Sequence, residues 1–92
     1  MRVVDLLVFP SVQVLDVTGP LQVFTTANEQ VTECGGPAPY ALRVVARGGQ
    51  SVTSSAGVAL SVTALPPIAS PIDTLIVAGG PGVEAAATDS EL

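Results

Sequence analysis

The chain has 92 residues, 48% of them hydrophobic, and a mean hydropathy of +0.59, which allows one domain at most and excludes a disordered tail. Three arginines against eight acidic residues give a formal charge of −5, so no basic patch is present to follow a phosphate backbone. Histidine is absent, which removes a Ser-His-Asp triad, a Cys-His dyad and most zinc sites from this stretch.

A single cysteine cannot form an internal disulfide, and a reducing compartment is the simpler reading. No apolar run approaches bilayer length. Arg2 followed by Leu6–Phe9 has the look of a short leader, but Asp5 interrupts it and Pro10 and Asp16 stand where a cleavage site belongs. The expected location is the cytoplasm.

Val3–Phe9 is a short, nearly continuous apolar run, and it reads as a strand buried on both faces of a parallel sheet. Pro10 ends it. Leu21, Phe24 and Asn28 fall near helical spacing, so a helix is expected over Pro20–Glu29 with Pro20 in its first turn. Val12, Leu15 and Asp16 form a separate turn before it. Thr32–Pro39 is a loop by its Gly and Pro content. Tyr40–Arg47 reads as a second strand, closed by Gly48-Gly49.

Val52–Ser54 and Val58–Val62 read as a half-exposed hairpin around Ser55-Ala56-Gly57. Leu65–Pro71, with three prolines, is loop. Thr74–Ala78 is another two-sided strand, Gly79–Gly82 turns sharply out of it, and Val83–Ala87 is a short helix. Apolar strands alternating with a helix argue for an α/β fold with a mainly parallel sheet.

Thr88 and Glu91 have capping-box spacing, the chemistry of a helix start, with only Leu92 after it. Three main strands and one substantial helix also leave apolar faces uncovered. Residues 1–92 are therefore expected to be the first part of a larger domain and to fold only marginally alone. The competing reading of the last residues is a frayed tail.

Gly80-Pro81-Gly82-Val83-Glu84-Ala85 fits a variant dinucleotide fingerprint, weakly, because the motif follows a late strand. The glycines equally serve a tight turn. A better functional reading is a turn whose exposed backbone N–H groups hold an oxyanion. Asp16 lies among Val14, Leu15 and Val17; buried, it can act as a proton donor, and otherwise it caps the turn before Pro20. Cys34, next to Glu33 in a Gly/Pro loop, has nothing beside it to favour a thiolate. Asp5 inside the first strand lies at a sheet edge or pairs with an arginine such as Arg43.

Three stretches together resemble the ThiJ/PfpI superfamily. They are Leu7–Pro10 with Leu15–Phe24 (LDVTGPLQVF), Val52–Val58 (VTSSAGV) and Asp73–Gly82 (DTLIVAGGPG), in the family's order and across nearly the whole chain. Ala27-Asn28 and the long loop before Pro39-Tyr40 make it most similar to the N-terminal domain of AraC-family transcription regulators. The nearest enzymatic relatives are isonitrile hydratases, which share the LD-x-T-GP pattern and the GGPG turn.

The resemblance implies an amidotransferase-like (flavodoxin-like) three-layer sandwich, present here as its N-terminal part only. It places Asp16 at the family's acidic position and Gly80 at its oxyanion position, with Asp16, Gly79, Gly80 and Pro81 around a small-molecule effector or substrate. The family's cysteine elbow belongs to a strand after Leu92, and Cys34 sits in the wrong loop to replace it. No cofactor, metal or membrane is implied. DNA is reached only through a separate C-terminal domain, and the full-length protein is expected to be a homodimer.

Overall fold

In this computed structural model, which describes residues 2–65 and 72–87, the elements in chain order are β1 (Arg2–Leu7), α1 (Leu15–Glu33), β2 (Tyr40–Ala46), β3 (Val52–Thr53), β4 (Ala59–Leu60), β5 (Thr63–Ala64), β6 (Thr74–Val77) and α2 (Val83–Ala87). A strand that is apolar at nearly every position needs cover on both sides and neighbours on both edges. β1 has both neighbours. It pairs in parallel with β2 and with β6, and β5 adds to the outside of β2. The order β5-β2-β1-β6 makes a four-stranded parallel sheet, the arrangement expected from the alternation of strands and helix. Val4, Leu6, Val8 and Phe9 are buried along it.

The helix is longer than its spacing indicated. Instead of a turn followed by a helix at Pro20–Glu29, α1 runs unbroken from Leu15 to Glu33, with Pro20 inside it. The entering turn is closed by Asp16 N–H to Gln13 O, Val17 N–H to Val14 O and Thr18 N–H to Val14 O, at 2.9–3.0 Å. Proline has a helical φ, so near the start of a helix it forfeits one hydrogen bond, here to the Asp16 carbonyl, without ending the helix. At the other end the expected loop yields two residues, Thr32 and Glu33, to the helix. Gly35, at φ +88°, stops it. Gly36 N–H donates to Val31 O and Gly35 N–H to Thr32 O, the paired closure that a left-handed glycine makes possible.

α1 is tied to the start of β2. The Asn28 side-chain amide donates to Tyr40 O and accepts from Tyr40 N–H, both at 3.0 Å. The Phe24 ring meets Tyr40 edge-on, centroids 4.8 Å apart. These contacts place α1 over the sheet face that bears Tyr40, and the parallel register puts Val4 and Leu6 on that face also.

The other face carries Asp5, Leu7, Arg43, Val45, Leu75 and Val77. Asp5 is fully buried, and Arg43 closes on it at two points, Nε to Oδ1 at 2.6 Å and the second guanidinium nitrogen to Oδ2 at 2.9 Å. The register settles what the sequence left open: Asp5 stands directly opposite Arg43 on an inner strand, away from any sheet edge. The hydrogen bond with Asp5, reinforced by its charge and opposed by partial desolvation, holds the guanidinium above the ordinary arginine range. Further along this face Leu75 is 54% and Val77 59% exposed. Phe9 and the single turn α2 lie beside Leu7 and Val77.

β3 and β4 form the expected hairpin, antiparallel, with Val52 opposite Leu60. Ser54 builds its turn: its N–H donates to Val58 O, and its Oγ accepts from Ala56 and Val58 N–H. β5 was not anticipated. Two residues carry no periodicity, and pairing with Val45 and Ala46 alone makes them a strand. The capping-box residues Thr88 and Glu91, and residues 66–71 of the proline loop, lie outside the described residues.

Candidate functional site

β1 connects through α1 to β2 on one side, while β6 lies on its other side. The carboxyl ends of β1 and β6 therefore flank a point where the sheet's winding reverses, and in open α/β sheets ligands bind at such points. Two loops meet there: residues 8–14 after β1 and 78–82 after β6.

They are joined along their backbones. Gln13 N–H donates to Gly79 O at 2.9 Å, and Gly82 N–H to Ser11 O at 3.4 Å. Asp16, in the first turn of α1, accepts the Gly79 N–H at Oδ2, 3.0 Å away. Its Oδ1 faces the Gln13 side-chain amide at 3.4 Å. The carboxylate is half-buried. It neither occupies the helix N-cap, which is Val14, nor sits sealed in apolar surroundings.

The loop contact needs glycine. Gly80 has φ +130°, and a Cβ there would lie 2.5 Å from the Gln13 nitrogen and 3.0 Å from Ser11 O. A Cβ at Gly82 would overlap the Pro10 carbonyl oxygen. The protein's own backbone thus accounts for both glycines of the GxGxxA pattern with no phosphate required. Among the described residues the Gly80 N–H meets no acceptor. Pro81 is exposed at the tip of the turn.

Of the four positions singled out in the sequence, Asp16 and Gly79 touch, Gly80 follows directly, and Pro81 forms the outer rim. Sequence reading missed Ser11 and Gln13. Ser11 takes φ +63°, unusual without a glycine. Its N–H donates to Thr53 O, and Ser55 N–H donates to Val12 O, so the hairpin is strapped to the same loop. Nothing in the residue types signals this, except that Gln13 stands one helical turn before Asp16.

Cys34 is exposed and caps the far end of α1. Eighteen residues at 1.5 Å each put it about 27 Å from Asp16, toward the amino ends of the strands, since α1 leads from the carboxyl end of β1 to the amino end of β2. Among the described residues no group of three His, Cys, Asp or Glu side chains could hold a metal ion, and no helix is long and apolar enough to cross a membrane.

No model of a known protein family matches the sequence. An uncharacterized protein in the cpoL 5′ region of Streptomyces lividans is 38% identical over 77 residues, covering 84% of this chain and 50% of that protein. Among solved structures, an AraC family transcriptional regulator from Pseudomonas putida superposes with a TM-score of 0.73 at 25% identity, over 87% of this chain and 48% of the other. A ThiJ/PfpI family protein from Pseudomonas syringae superposes with a TM-score of 0.75 at 29% identity, over 98% and 34%. A DJ-1 superfamily protein from Agrobacterium tumefaciens, 16% identical with a TM-score of 0.63 over 97% and 43%, shares the fold. The chain thus spans half the length of the curated relative it matches and less than half of each of these solved chains.

Proposed function

We propose that this chain, which has the fold of the ThiJ/PfpI/DJ-1 superfamily over part of such a domain's length, is the first part of the ligand-sensing and dimerisation domain of an AraC-family transcription regulator. The observation that carries the reading is the superposition of 87% of the chain on a regulator of that family. The effector is a small molecule bound where the β1 and β6 loops meet, held by the Asp16 carboxylate and the Gly80 N–H. DNA contact belongs to a separate helix-turn-helix domain, in keeping with three cations against eight acidic residues here. The apolar strip of Leu75 and Val77 would then be covered by the remainder of the domain. Reading the coding sequence downstream of Leu92 tests this. A helix-turn-helix domain after one amidotransferase-like domain supports it, and a stop codon directly after that domain overturns it.

A second reading is favoured by the site's geometry and by the likeness to the ThiJ/PfpI family protein. It makes the whole protein a cysteine-dependent enzyme of the isonitrile hydratase kind. A downstream elbow thiolate would attack the substrate, the Gly80 N–H would hold the developing anion, and Asp16 would transfer the proton. Any residue other than cysteine at that elbow removes this reading. With cysteine present, Asp16→Asn in the full-length protein is expected to abolish turnover.

A further inference from the structure

Ser11 holds an element on each side of its Cα. Its N–H donates to Thr53 O at the end of β3, at 2.9 Å, and its C=O accepts from Gly82 N–H of the β6 loop, at 3.4 Å. It does so at φ +63°, in the left-handed region that residues other than glycine and asparagine rarely take. Nothing local holds it there: the residue is exposed, and among the described residues its hydroxyl makes no hydrogen bond. The conformation is therefore kept by the two backbone contacts, and each depends on the other, because an extended φ turns the N–H and the C=O relative to one another. The next two residues repeat the arrangement. Val12 O accepts from Ser55 N–H of the hairpin, and Gln13 N–H donates to Gly79 O, both at 2.9 Å. The loop after β1 thus lies between the hairpin and the β6 loop and is bonded to both.

We propose that Ser11 is the positioning residue of the Asp16–Gly80 site, and that the β3–β4 hairpin and the β6 loop move through it as one unit. In the closed arrangement Ser11 is left-handed, the hairpin is docked and the Gly79 N–H lies on Asp16. Released on either side, Ser11 relaxes to an extended backbone and loosens the other side with it. A ligand that binds the closed turn better than the open one draws the hairpin down. By linkage, a partner that holds the hairpin docked tightens the site by the same factor. The proposal rests on the reading of this loop contact as the effector site, and adds to it the element that carries the signal.

The test is amide hydrogen exchange in the 92-residue chain labelled with ¹⁵N. It is read at Gln13, whose N–H joins the two loops, against Leu6, buried in the sheet. In Ser11→Val, whose branched side chain resists a left-handed backbone, exchange at Gln13 is expected to speed at least about five-fold relative to Leu6. Ser11→Gly and Ser11→Asn take that conformation readily and are expected to stay within about two-fold of the unaltered chain. Ser54→Ala reads the coupling from the hairpin. The Ser54 hydroxyl accepts from Ala56 and Val58 N–H and, among the described residues, makes no hydrogen bond to the β6 loop. Its removal is nevertheless expected to speed exchange at Gln13 about three-fold relative to Leu6. An unchanged rate at Gln13 in Ser11→Val, or one that rises equally at Leu6, overturns the proposal. So does an effect of Ser11→Asn as large as that of Ser11→Val. Where Ser11→Val does not fold, Ser54→Ala decides: faster exchange at Gln13 relative to Leu6 supports the coupling, and an unchanged ratio overturns it. The regulator reading stands or falls on the coding sequence after Leu92, so the two failures are distinguishable.

Discussion

Asp5 and Arg43 face each other on neighbouring parallel strands, the carboxylate fully buried and the guanidinium side chain 37% exposed. The two halves of the pair are therefore unequal. Arg43→Met strands a buried charge, whereas Asp5→Leu leaves a guanidinium that water can reach. Chemical denaturation is expected to show a markedly larger loss of stability for Arg43→Met than for Asp5→Leu. Equal losses would mean that the carboxylate gains solvent when its partner is removed.

The same pair has a pH signature. The hydrogen bond from Arg43 to Asp5 raises the arginine pKa in the folded state. The stability linked to Arg43 is thus fully present below its unfolded pKa and is lost only as pH rises through the higher folded value. Denaturation midpoints followed from neutrality to about pH 11 are expected to show no step from this residue.

Gly80 and Gly82 hold the loop contact at the candidate site. Gly80→Ala meets both a positive φ and the Gln13 nitrogen, and is expected to cost about 2–4 kcal/mol. Gly57→Ala, with φ +83° and open space around it, bears the backbone cost alone, about 1 kcal/mol. Comparable losses at the two positions, measured by urea unfolding, would show that the β6 loop gives way without effort.

Asn28 satisfies both backbone groups of Tyr40. Asn28→Ala improves helix propensity by a few tenths of a kcal/mol but leaves a half-buried N–H and C=O unpaired. A net loss of about 1–2 kcal/mol is expected. Loss of amide-exchange protection at Tyr40 would locate the effect.

Val77 distinguishes this chain from the longer protein proposed for it. At 59% exposure, Val77→Ser in the 92-residue chain is expected to change stability by no more than about 0.5 kcal/mol. In the full-length protein, with the strip covered, the same change is expected to cost about 1–2 kcal/mol. Identical small effects in both would show that Val77 stays in water.

Runs of apolar residues made β1, β2 and β6 legible in the sequence, but the two-sided burial expected of β1 and β6 holds only for the middle of β1; in β6 Leu75 and Val77 stand exposed, because consecutive apolar residues mark a strand without supplying the layer that covers it. Gly35-Gly36 and Pro20 are legible too, but Pro20 lies beyond the first turn of α1, because the turns around Gln13 and Val14 start the helix five residues before it. β5 was illegible, since two residues become a strand only when Val45 and Ala46 supply partners.

By itself the sequence determined the fold class, through local patterns of burial and turn chemistry that need no distant partner. Family resemblance, not periodicity, paired Asp16 with the glycine turn. Only the tertiary structure decided that Asp5 pairs with Arg43, that the Gly79 N–H reaches Asp16 across 63 positions, and that Ser11 adopts a left-handed conformation to bind the hairpin and the β6 loop at once. Those contacts follow from strand order and register, which emerge when the whole sheet assembles and which no window of neighbouring residues contains.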